Sequence, residues 1–137
     1  MIMAGYSKNP LWKKLGIKEH FNCYLYNSPE NYFDLLEAIP AESVCDDTLS
    51  NSPYDFLHVF VKEEKDLNAH WKEWKSNMKK DGTLWISWPK GTSQIMSDLN
   101  GNLVREFGLK GGLVDVKVCA IDDDWSGLKF MYRKIDR

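Results

Sequence analysis

YDFLHVFV (54–61) and TLWISWPKGTS (83–93) are the two stretches that decide the fold. The first is a short, almost continuous apolar run, and such runs are typical of strands buried on both faces of a parallel sheet. Between the two stretches, apolar residues recur at spacings of four, three and four: Leu67, Trp71, Trp74 and Met78. This spacing predicts one face of an α-helix near 64–80. The second stretch then predicts a strand that ends in a basic, polar loop.

The rest of the chain repeats this alternation of strands and helices. NPLWKKLGI (9–17) predicts a short helix with Asn9 at its N-cap and Gly16 at its exit. A second helix start signal follows at Ser28, which precedes a proline and a glutamate. ESVCDD (42–47) is compatible with a further, weak strand. The main predicted strands lie near 21–26, 54–61, 83–88, 113–121 and 127–134.

Strands that alternate with helices pair in parallel, whereas DDDWSG (122–127) is short enough to connect a β-hairpin. The sequence therefore predicts one α/β domain over 1–137. Its fold is a three-layer α/β/α arrangement with an open, mainly parallel sheet and a C-terminal antiparallel β-hairpin. Strand 83–88 is expected to be central, because both of its faces carry bulky residues.

Composition excludes several classes of function. The 18 Lys and Arg residues face 20 Asp and Glu, so no basic excess draws the surface to nucleic acid. No run approaches the roughly 20 apolar residues of a membrane span. Cys23, Cys45 and Cys119 are widely spaced and form no CxxC pair, as expected of small buried thiols in a reducing compartment. We therefore expect a cytoplasmic protein that binds neither membranes nor nucleic acids in general.

The order of elements, with a hairpin closing the sheet, resembles the fold of the S-adenosylmethionine-dependent methyltransferases. The local likeness lies in YDFLHVFV and NMKKDGTLWISWPK. In that family an acidic residue opens the fourth strand, and a helix and a glycine-containing turn lead into the fifth. Asp55 and Asp81-Gly82 match this pattern here. The resemblance implies a truncated methyltransferase fold.

A second resemblance covers nearly the whole chain. The sequence is similar to a bacterial family of small proteins that is catalogued only as a domain of unknown function. That family combines an opening Gly-Tyr-Ser and Leu-Gly-Ile with Trp-Pro-Lys, Lys-Val-Cys-Ala and Trp-Ser-Gly-Leu. The matching segments here are 5–7, 15–17, 88–90, 117–120 and 125–128. This resemblance implies no established activity.

The loop after the first strand argues against a cofactor. Methyltransferases place a glycine-rich loop there so that the backbone can approach the cofactor closely. YNSPENYF (26–33) has no glycine and contains a rigid proline. Its Ser28 start offers a modest anion site at a helix N-terminus, and Asp46 or Asp47 is placed either to hold a ribose or to be solvated. The residues therefore predict no cofactor, and no S-adenosylmethionine binding of the strength a methyltransferase needs.

The sequence shows no metal site, and it leaves the catalytic residues unknown because no convergent acid/base pair is visible. His20, His58 and His70 are scattered without ligand spacing, and His58 is expected to be a hydrogen-bonded core residue. The acidic run 122–124 is expected to be a solvated turn, because consecutive residues on a tight turn rarely converge on one ion. No GxSxG elbow provides a serine nucleophile.

Polar residues gather where ligands bind in open α/β sheets, outside the carboxyl ends of the strands. The candidate ligand-binding residues are Asn27, Ser28, Lys62, Trp88, Lys90, Ser93, Lys117, Asp122, Trp125 and Ser126. We expect Lys90, Ser93, Trp125 and Ser126 to line one shallow pocket for an anionic or aromatic group. The alternative is that Trp125 packs the hairpin while Lys90 pairs with Asp122 or Asp123. Lys117, inside a strand, either extends past a sheet edge or is held by a carboxylate.

Three functions remain open. The main one is a non-enzymatic module that binds a small anionic ligand or an unidentified protein partner on a degenerate methyltransferase-like sheet; the missing glycine loop favours it, and the docking module below, over an enzyme. The first alternative is a divergent transferase-type enzyme that acts on an anionic or nucleotide-like substrate. The second alternative is a protein-docking module whose sheet edge is empty. Fold alone does not separate the three.

Overall fold

The computed structural model describes residues 9–137 as a six-stranded sheet with helices on both faces. The opening Gly-Tyr-Ser segment lies outside the described residues. The strands are β1 (Asn22–Tyr26), β2 (Val44–Asp46), β3 (Tyr54–Phe60), β4 (Met78–Pro89), β5 (Leu113–Ala120) and β6 (Trp125–Tyr132). The helices are α1 (Leu11–Leu15), α2 (Tyr32–Leu36), α3 (Glu64–Ser76) and α4 (Gly101–Lys110), and a 3₁₀ turn (Lys134–Asp136) follows β6.

The sheet is parallel through its first four strands and closes with an antiparallel hairpin. The strand order is β2-β1-β3-β4-β6-β5, in which β6 runs antiparallel to both of its neighbours. The predicted fold class is confirmed, and so are the weak strand near 44–46 and the central place of β4. The chain leaves β1 toward β2 and then crosses to β3 on the other side, so the crevice beside β1 is a topological switch point.

Each face of the sheet has its own core. The α3–α4 face, which α3 and α4 cover, buries the predicted helical stripe, with Trp71 and Trp74 at 7% and 0% exposure. The α1–α2 face lies under α1 and α2, and there the Trp85 indole donates a hydrogen bond to the Leu15 carbonyl at 2.9 Å. Within residues 9–137, no helix has the length and apolar character needed to cross a membrane.

The helix predicted near 64–80 is shorter, and the predicted Asp81-Gly82 turn does not form. Helix α3 ends at Ser76, and β4 begins at Met78 because the backbone there pairs with Tyr54. A side chain on Gly82 would place its Cβ 2.9 Å from the Tyr54 carbonyl oxygen. Glycine is therefore required for close strand packing and not for ending a helix. Met78 is buried as predicted, but it packs from a strand.

The two short helices differ from their predictions at their starts. Helix α1 ends at Gly16, whose φ of 86° is the left-handed conformation expected of a glycine exit. Its N-cap is Pro10 instead of Asn9. Helix α2 begins at Tyr32, four residues after Ser28, and has only five residues. Ser28 therefore does not form the predicted anion site at a helix N-terminus.

Candidate ligand site at the carboxyl edge of the sheet

A cleft opens where β1 and β3 end and β6 begins. Its volume is about 360 Å³, within the range of small-molecule sites. We call it the β1–β3 cleft, and it is lined by Asn27, Ser28, Phe60, Lys62, Asp66 and Trp125. Four of these six residues are among the ten candidates from the sequence. The pairing of Pro89 with Trp125 places the start of β6 beside the end of β4, so Lys90 and Trp125 lie at the same edge as expected.

The lining of the β1–β3 cleft combines two opposite charges with an aromatic wall. Lys62 follows β3, and Asp66 lies in the first turn of α3. The Phe60 and Trp125 rings meet edge to face, with centroids 5.1 Å apart. Such a lining suits a ligand that carries both an acidic and a basic group, or a cation held against aromatic rings.

Sequence reasoning missed Phe60 and Asp66. Phe60 is the last residue of β3, and in the sequence it is indistinguishable from the rest of the apolar run 54–61. Asp66 is four residues after Lys62, at the start of the helix that follows the strand. In a parallel sheet such a helix begins at the carboxyl edge, so the position of Asp66 in the first turn of the helix is the feature of the sequence that indicates a place in the cleft.

A second cleft adjoins the first on the other side of β1. We call it the β1–β2 cleft; its volume is about 340 Å³, and it is lined by Leu25, Ser28, Phe33, Cys45, Asp46, Asp47 and Thr48. Ser28 lines both clefts, so they are neighbours across the loop after β1. Together they occupy the switch point of the sheet, where open α/β proteins bind ligands.

The two aspartates of the β1–β2 cleft differ in what they contact. Asp46 Oδ2 accepts hydrogen bonds from Asn51 Nδ2 at 2.7 Å and from the Tyr54 hydroxyl at 3.1 Å. Those contacts tie Asp46 to the segment that leads into β3. Asp47 is exposed at the end of β2 and has no hydrogen-bond partner among the described residues. Asp47 is therefore the carboxylate that is available to a ligand.

Two cysteines lie next to each other at the β1–β2 cleft. Cys23 and Cys45 are partners in the parallel pairing of β1 with β2. Cys23 is buried, while Cys45 is half-buried in the cleft wall. The interaction between the two thiols lowers the pKa of Cys45, and that interaction together with burial raises the pKa of Cys23. Of the two, Cys45 is the thiol with the greater thiolate character.

The loop after β1 turns without a glycine. Asn27 adopts a φ of 52°, in the left-handed region that asparagine tolerates better than most residues. The backbone thus reverses at the end of β1 as a glycine would allow, and it places Ser28 between the two clefts.

Lys90 and Ser93 belong to a loop that packs on the hairpin. The Lys90 amide donates to the Asp124 carbonyl at 2.8 Å, and the Ser93 hydroxyl donates to Asp124 Oδ1 at 2.9 Å. Asp122 Oδ1 accepts from the amides of Asp124 and Trp125, both at 2.8 Å, which fixes the tight turn. Among the described ion pairs, none joins Lys90 to Asp122 or Asp123.

Trp88, Ser126 and Lys117 lie away from the two clefts. Trp88 is 8% exposed in the core of the α3–α4 face, and Ser126 is its partner in β6. Adjacent residues of a strand point to opposite faces, so Ser126 does not share a pocket with Trp125. The predicted four-residue pocket is therefore not formed. Lys117 lies within the edge strand β5, and its ammonium donates to the Lys14 carbonyl at 3.2 Å, not to a carboxylate.

His58 is a buried residue that packs against Phe60 in the lining of the β1–β3 cleft. Its Nδ1 lies 2.8 Å from the Tyr32 hydroxyl and its Nε2 lies 2.7 Å from the Ser87 hydroxyl. The ring stacks on Phe60 at a centroid distance of 4.3 Å. Burial lowers the pKa of His58 to about 3, so the imidazole is neutral at physiological pH. His58 is thus the hydrogen-bonded core histidine predicted from the sequence.

Residues 9–137 contain no group of three or more His, Cys, Asp or Glu side chains arranged to hold a metal ion.

Comparison with solved structures identifies the fold. DhpI in complex with S-adenosylhomocysteine (SAH) matches with a TM-score of 0.60 and 9% identity, covering 91% of this chain and 83% of its own. The fold is that of the S-adenosylmethionine-dependent methyltransferases. Magnesium protoporphyrin IX methyltransferase from Synechocystis, with bound SAH, matches with a TM-score of 0.57 and 8% identity, covering 90% of this chain and 78% of its own. A TehB-like methyltransferase from Corynebacterium glutamicum matches with a TM-score of 0.54 and 10% identity, covering 95% and 91%.

The comparisons by sequence found no match. No protein-family model matches the chain, and no curated protein matches it significantly. The resemblance to the small bacterial family is therefore not confirmed, whereas the methyltransferase-like fold is.

The prediction of no cofactor, and of no methyltransferase-grade binding of S-adenosylmethionine, is wrong. Two of the three structures above hold SAH, and each of the three matches nine-tenths or more of this chain. The prediction relied on the absence of glycine after β1. Asn27 supplies the left-handed turn in its place.

Proposed function

We propose that the chain binds S-adenosylmethionine across the two clefts that meet at Ser28 and that it is a methyltransferase of divergent sequence. The observation that carries this proposal is the position of the clefts, one on each side of β1 at the switch point of a methyltransferase-type sheet. The transferase alternative of the sequence analysis therefore replaces the non-enzymatic module as the favoured function.

The β1–β2 cleft has the groups that a nucleoside requires. The exposed Asp47 carboxylate would accept hydrogen bonds from ribose hydroxyls. Leu25 and Phe33 provide an apolar wall for a purine ring, and Phe33 is 47% exposed in the described structure. Burial of such an exposed aromatic side chain against a ligand would contribute to binding.

The β1–β3 cleft has the groups that the amino-acid part requires. Lys62 would pair with a carboxylate, and Asp66 would pair with an ammonium group. Trp125 and Phe60 present aromatic rings to a cation. When bound, the cofactor supplies an electrophilic methyl group on a positively charged sulfur. His58 holds the Phe60 ring in place by stacking, and it remains neutral.

Calorimetry with SAH tests the cofactor site. We expect saturable binding by the wild-type chain and binding about tenfold weaker or worse for Asp47→Asn, since a hydrogen bond to a charged group is worth roughly 1.5–3 kcal/mol. Asp123→Asn is the matched control, because it removes an equally exposed aspartate from the hairpin turn. No SAH binding at millimolar concentration, or equal losses in both variants, would contradict the site.

Methyl transfer is tested separately from binding. The wild-type chain is incubated with S-adenosylmethionine carrying a labelled methyl group and with fractions of a cell extract. We expect label to enter one fraction, and to do so less with Asp47→Asn. Tight SAH binding without any label transfer would instead favour the binding module of the sequence analysis.

Membership of the small bacterial family is also a proposal, and the pairing of β4 with β6 supports it. Two segments of the resemblance, Trp-Pro-Lys at 88–90 and Trp-Ser-Gly at 125–127, are far apart in sequence. In the sheet they pair directly, Trp88 with Ser126 and Pro89 with Trp125. Residues that match a family pattern in both segments thus belong to one structural unit, and one of them, Trp125, lines the β1–β3 cleft.

A further inference from the structure

Four lysines surround the end of α1 on the α1–α2 face. Lys117 of β5 and Lys129 of β6 are direct partners across the antiparallel pair. Like charges in directly opposed positions destabilise a sheet. The Lys129 ammonium lies 3.7 Å from the position that a Cβ would take on Gly16, at the end of α1. Burial is the main cause that lowers the pKa of Lys129, and the nearby charges of Lys117 and Lys18 lower it further. Lys14 brings a fourth charge from α1, close enough to Cys119 to lower its thiol pKa against the dominant effect of burial.

In the part of the chain that the structure describes, no carboxylate forms an ion pair with this lysine cluster. Among residues 9–137, the described ion pairs include none of the four lysines. Residues 1–8, MIMAGYSK, contain no aspartate or glutamate, so they bring no side-chain carboxylate either. Lys14 and Lys129 are half-buried, whereas Lys18 and Lys117 are exposed. The two half-buried ammonium groups are costly without a counter-charge. The sequence thus keeps a charge arrangement that is unfavourable on its own.

Capping of α1 accounts for only part of the cluster. The last carbonyls of this helix already have donors: Trp12 and Lys13 accept from the Gly16 amide, Lys14 accepts from Lys117 Nζ, and Leu15 accepts from the Trp85 indole. Lys129 and Lys18 therefore have no helix carbonyl left to cap. Within the part of the chain that the structure describes, neither ammonium group has a hydrogen-bond acceptor.

We propose that Lys14, Lys18, Lys117 and Lys129 form a binding site for the phosphate group of a phosphorylated small molecule. A phosphate offers several acceptor oxygens and two negative charges, and lysine is a common partner for it. The proposal does not rest on the cofactor site. The lysine cluster is separate from that site, because Lys129 is four residues, or roughly 13 Å, from Trp125 along β6.

Titration with inorganic phosphate at constant ionic strength tests this site. We expect saturable binding in the low millimolar range or tighter by calorimetry, and binding at least tenfold weaker for Lys129→Gln. Lys18→Gln, which changes an exposed lysine that caps no carbonyl, is expected to weaken binding as well. Lys110→Gln at the end of α4 is the control and is expected to bind like the wild-type chain.

Thermal unfolding separates this site from a structural role of the lysines. Without phosphate, Lys129→Gln is expected to raise the unfolding temperature, because it relieves repulsion from Lys117. Phosphate is expected to raise the unfolding temperature of the wild-type chain but not that of Lys129→Gln. The proposal is overturned if Lys129→Gln lowers the unfolding temperature without phosphate, or if phosphate stabilises both chains equally. SAH binding is measured in the same samples, so loss of one site is distinguishable from loss of the other.

Discussion

The two faces of the sheet are built differently. The α3–α4 face lies under helices of 13 and 10 residues, and its core is apolar. The α1–α2 face lies under two helices of five residues each, and it contains the buried His58 and Ser87. Short helices cover less of a sheet, so buried polar groups remain on that side, and the two carboxyl-edge clefts border it, although α3 of the other face contributes Asp66. We therefore expect the α3–α4 face to contribute more of the stability, and we propose that binding occurs at the carboxyl edge that borders the α1–α2 face.

Truncation of the largest buried side chain on the α3–α4 face should have the largest effect on stability. Trp74 is fully buried, so Trp74→Ala is expected to lower the free energy of unfolding by about 3–5 kcal/mol. Phe33→Ala on α2 is the control and should cost less than about 1 kcal/mol, because Phe33 is 47% exposed. Urea unfolding measures both. Equal costs would show that the two faces do not differ in this way.

The buried histidine of the α1–α2 face should make stability depend on pH. Its folded pKa of about 3 is below the unfolded value of 6.5, so the unfolded chain takes up a proton first as pH falls. Stability is therefore full above pH 6.5 and is expected to fall by about 2 kcal/mol on going to pH 5. This part of the pH dependence should vanish in His58→Gln.

Tyr32→Phe is the control for the histidine prediction. It removes the hydrogen bond to Nδ1 but leaves the imidazole buried, so the pH dependence should persist at a lower overall stability. Urea unfolding between pH 5 and pH 7.5 measures the difference in slope between each variant and the wild-type chain. Identical slopes for His58→Gln and the wild-type chain would mean that the imidazole is not buried neutral.

A smaller effect is expected where α4 meets the sheet. A Cβ on Gly108 would lie 2.1 Å from the Phe130 ring, whereas a Cβ on Gly101 would meet Trp88 at an ordinary 3.4 Å. Helix propensity alone favours alanine over glycine by roughly 1 kcal/mol. We nevertheless expect Gly108→Ala to cost about 1–3 kcal/mol through overpacking, and Gly101→Ala to be close to neutral. A stabilised Gly108→Ala chain would show that α4 packs loosely.

The sequence predicted the α3–α4 face better than the α1–α2 face. Trp71 and Trp74 recur at helical spacing, and the run 54–61 is apolar, so periodicity alone located a helix and a central strand. Periodicity failed at Met78, which suits a helix stripe and a buried strand equally. Only the long-range pairing of Met78 with Tyr54 decides between them.

The candidate site was predicted in part. The carboxyl-edge rule placed Asn27, Ser28, Lys62 and Trp125 together without any knowledge of side-chain contacts. It could not show that Asn27 takes a left-handed conformation, because few residues other than glycine reveal that conformation in a sequence. The prediction about the cofactor was overturned by the comparison with solved methyltransferase structures, not by any feature of the sequence.

The most direct test of the binding role is a map of backbone amide shifts during titration with SAH. We predict saturable shifts at the carboxyl edge of the sheet, centred on Asn27, Ser28, Asp47, Lys62 and Trp125. The α3–α4 face has a more apolar cleft of about 420 Å³ beside Trp71 and Tyr132, which should show no shifts. Shifts centred on Trp71 and Tyr132, or no saturable shifts at millimolar SAH, would contradict the account.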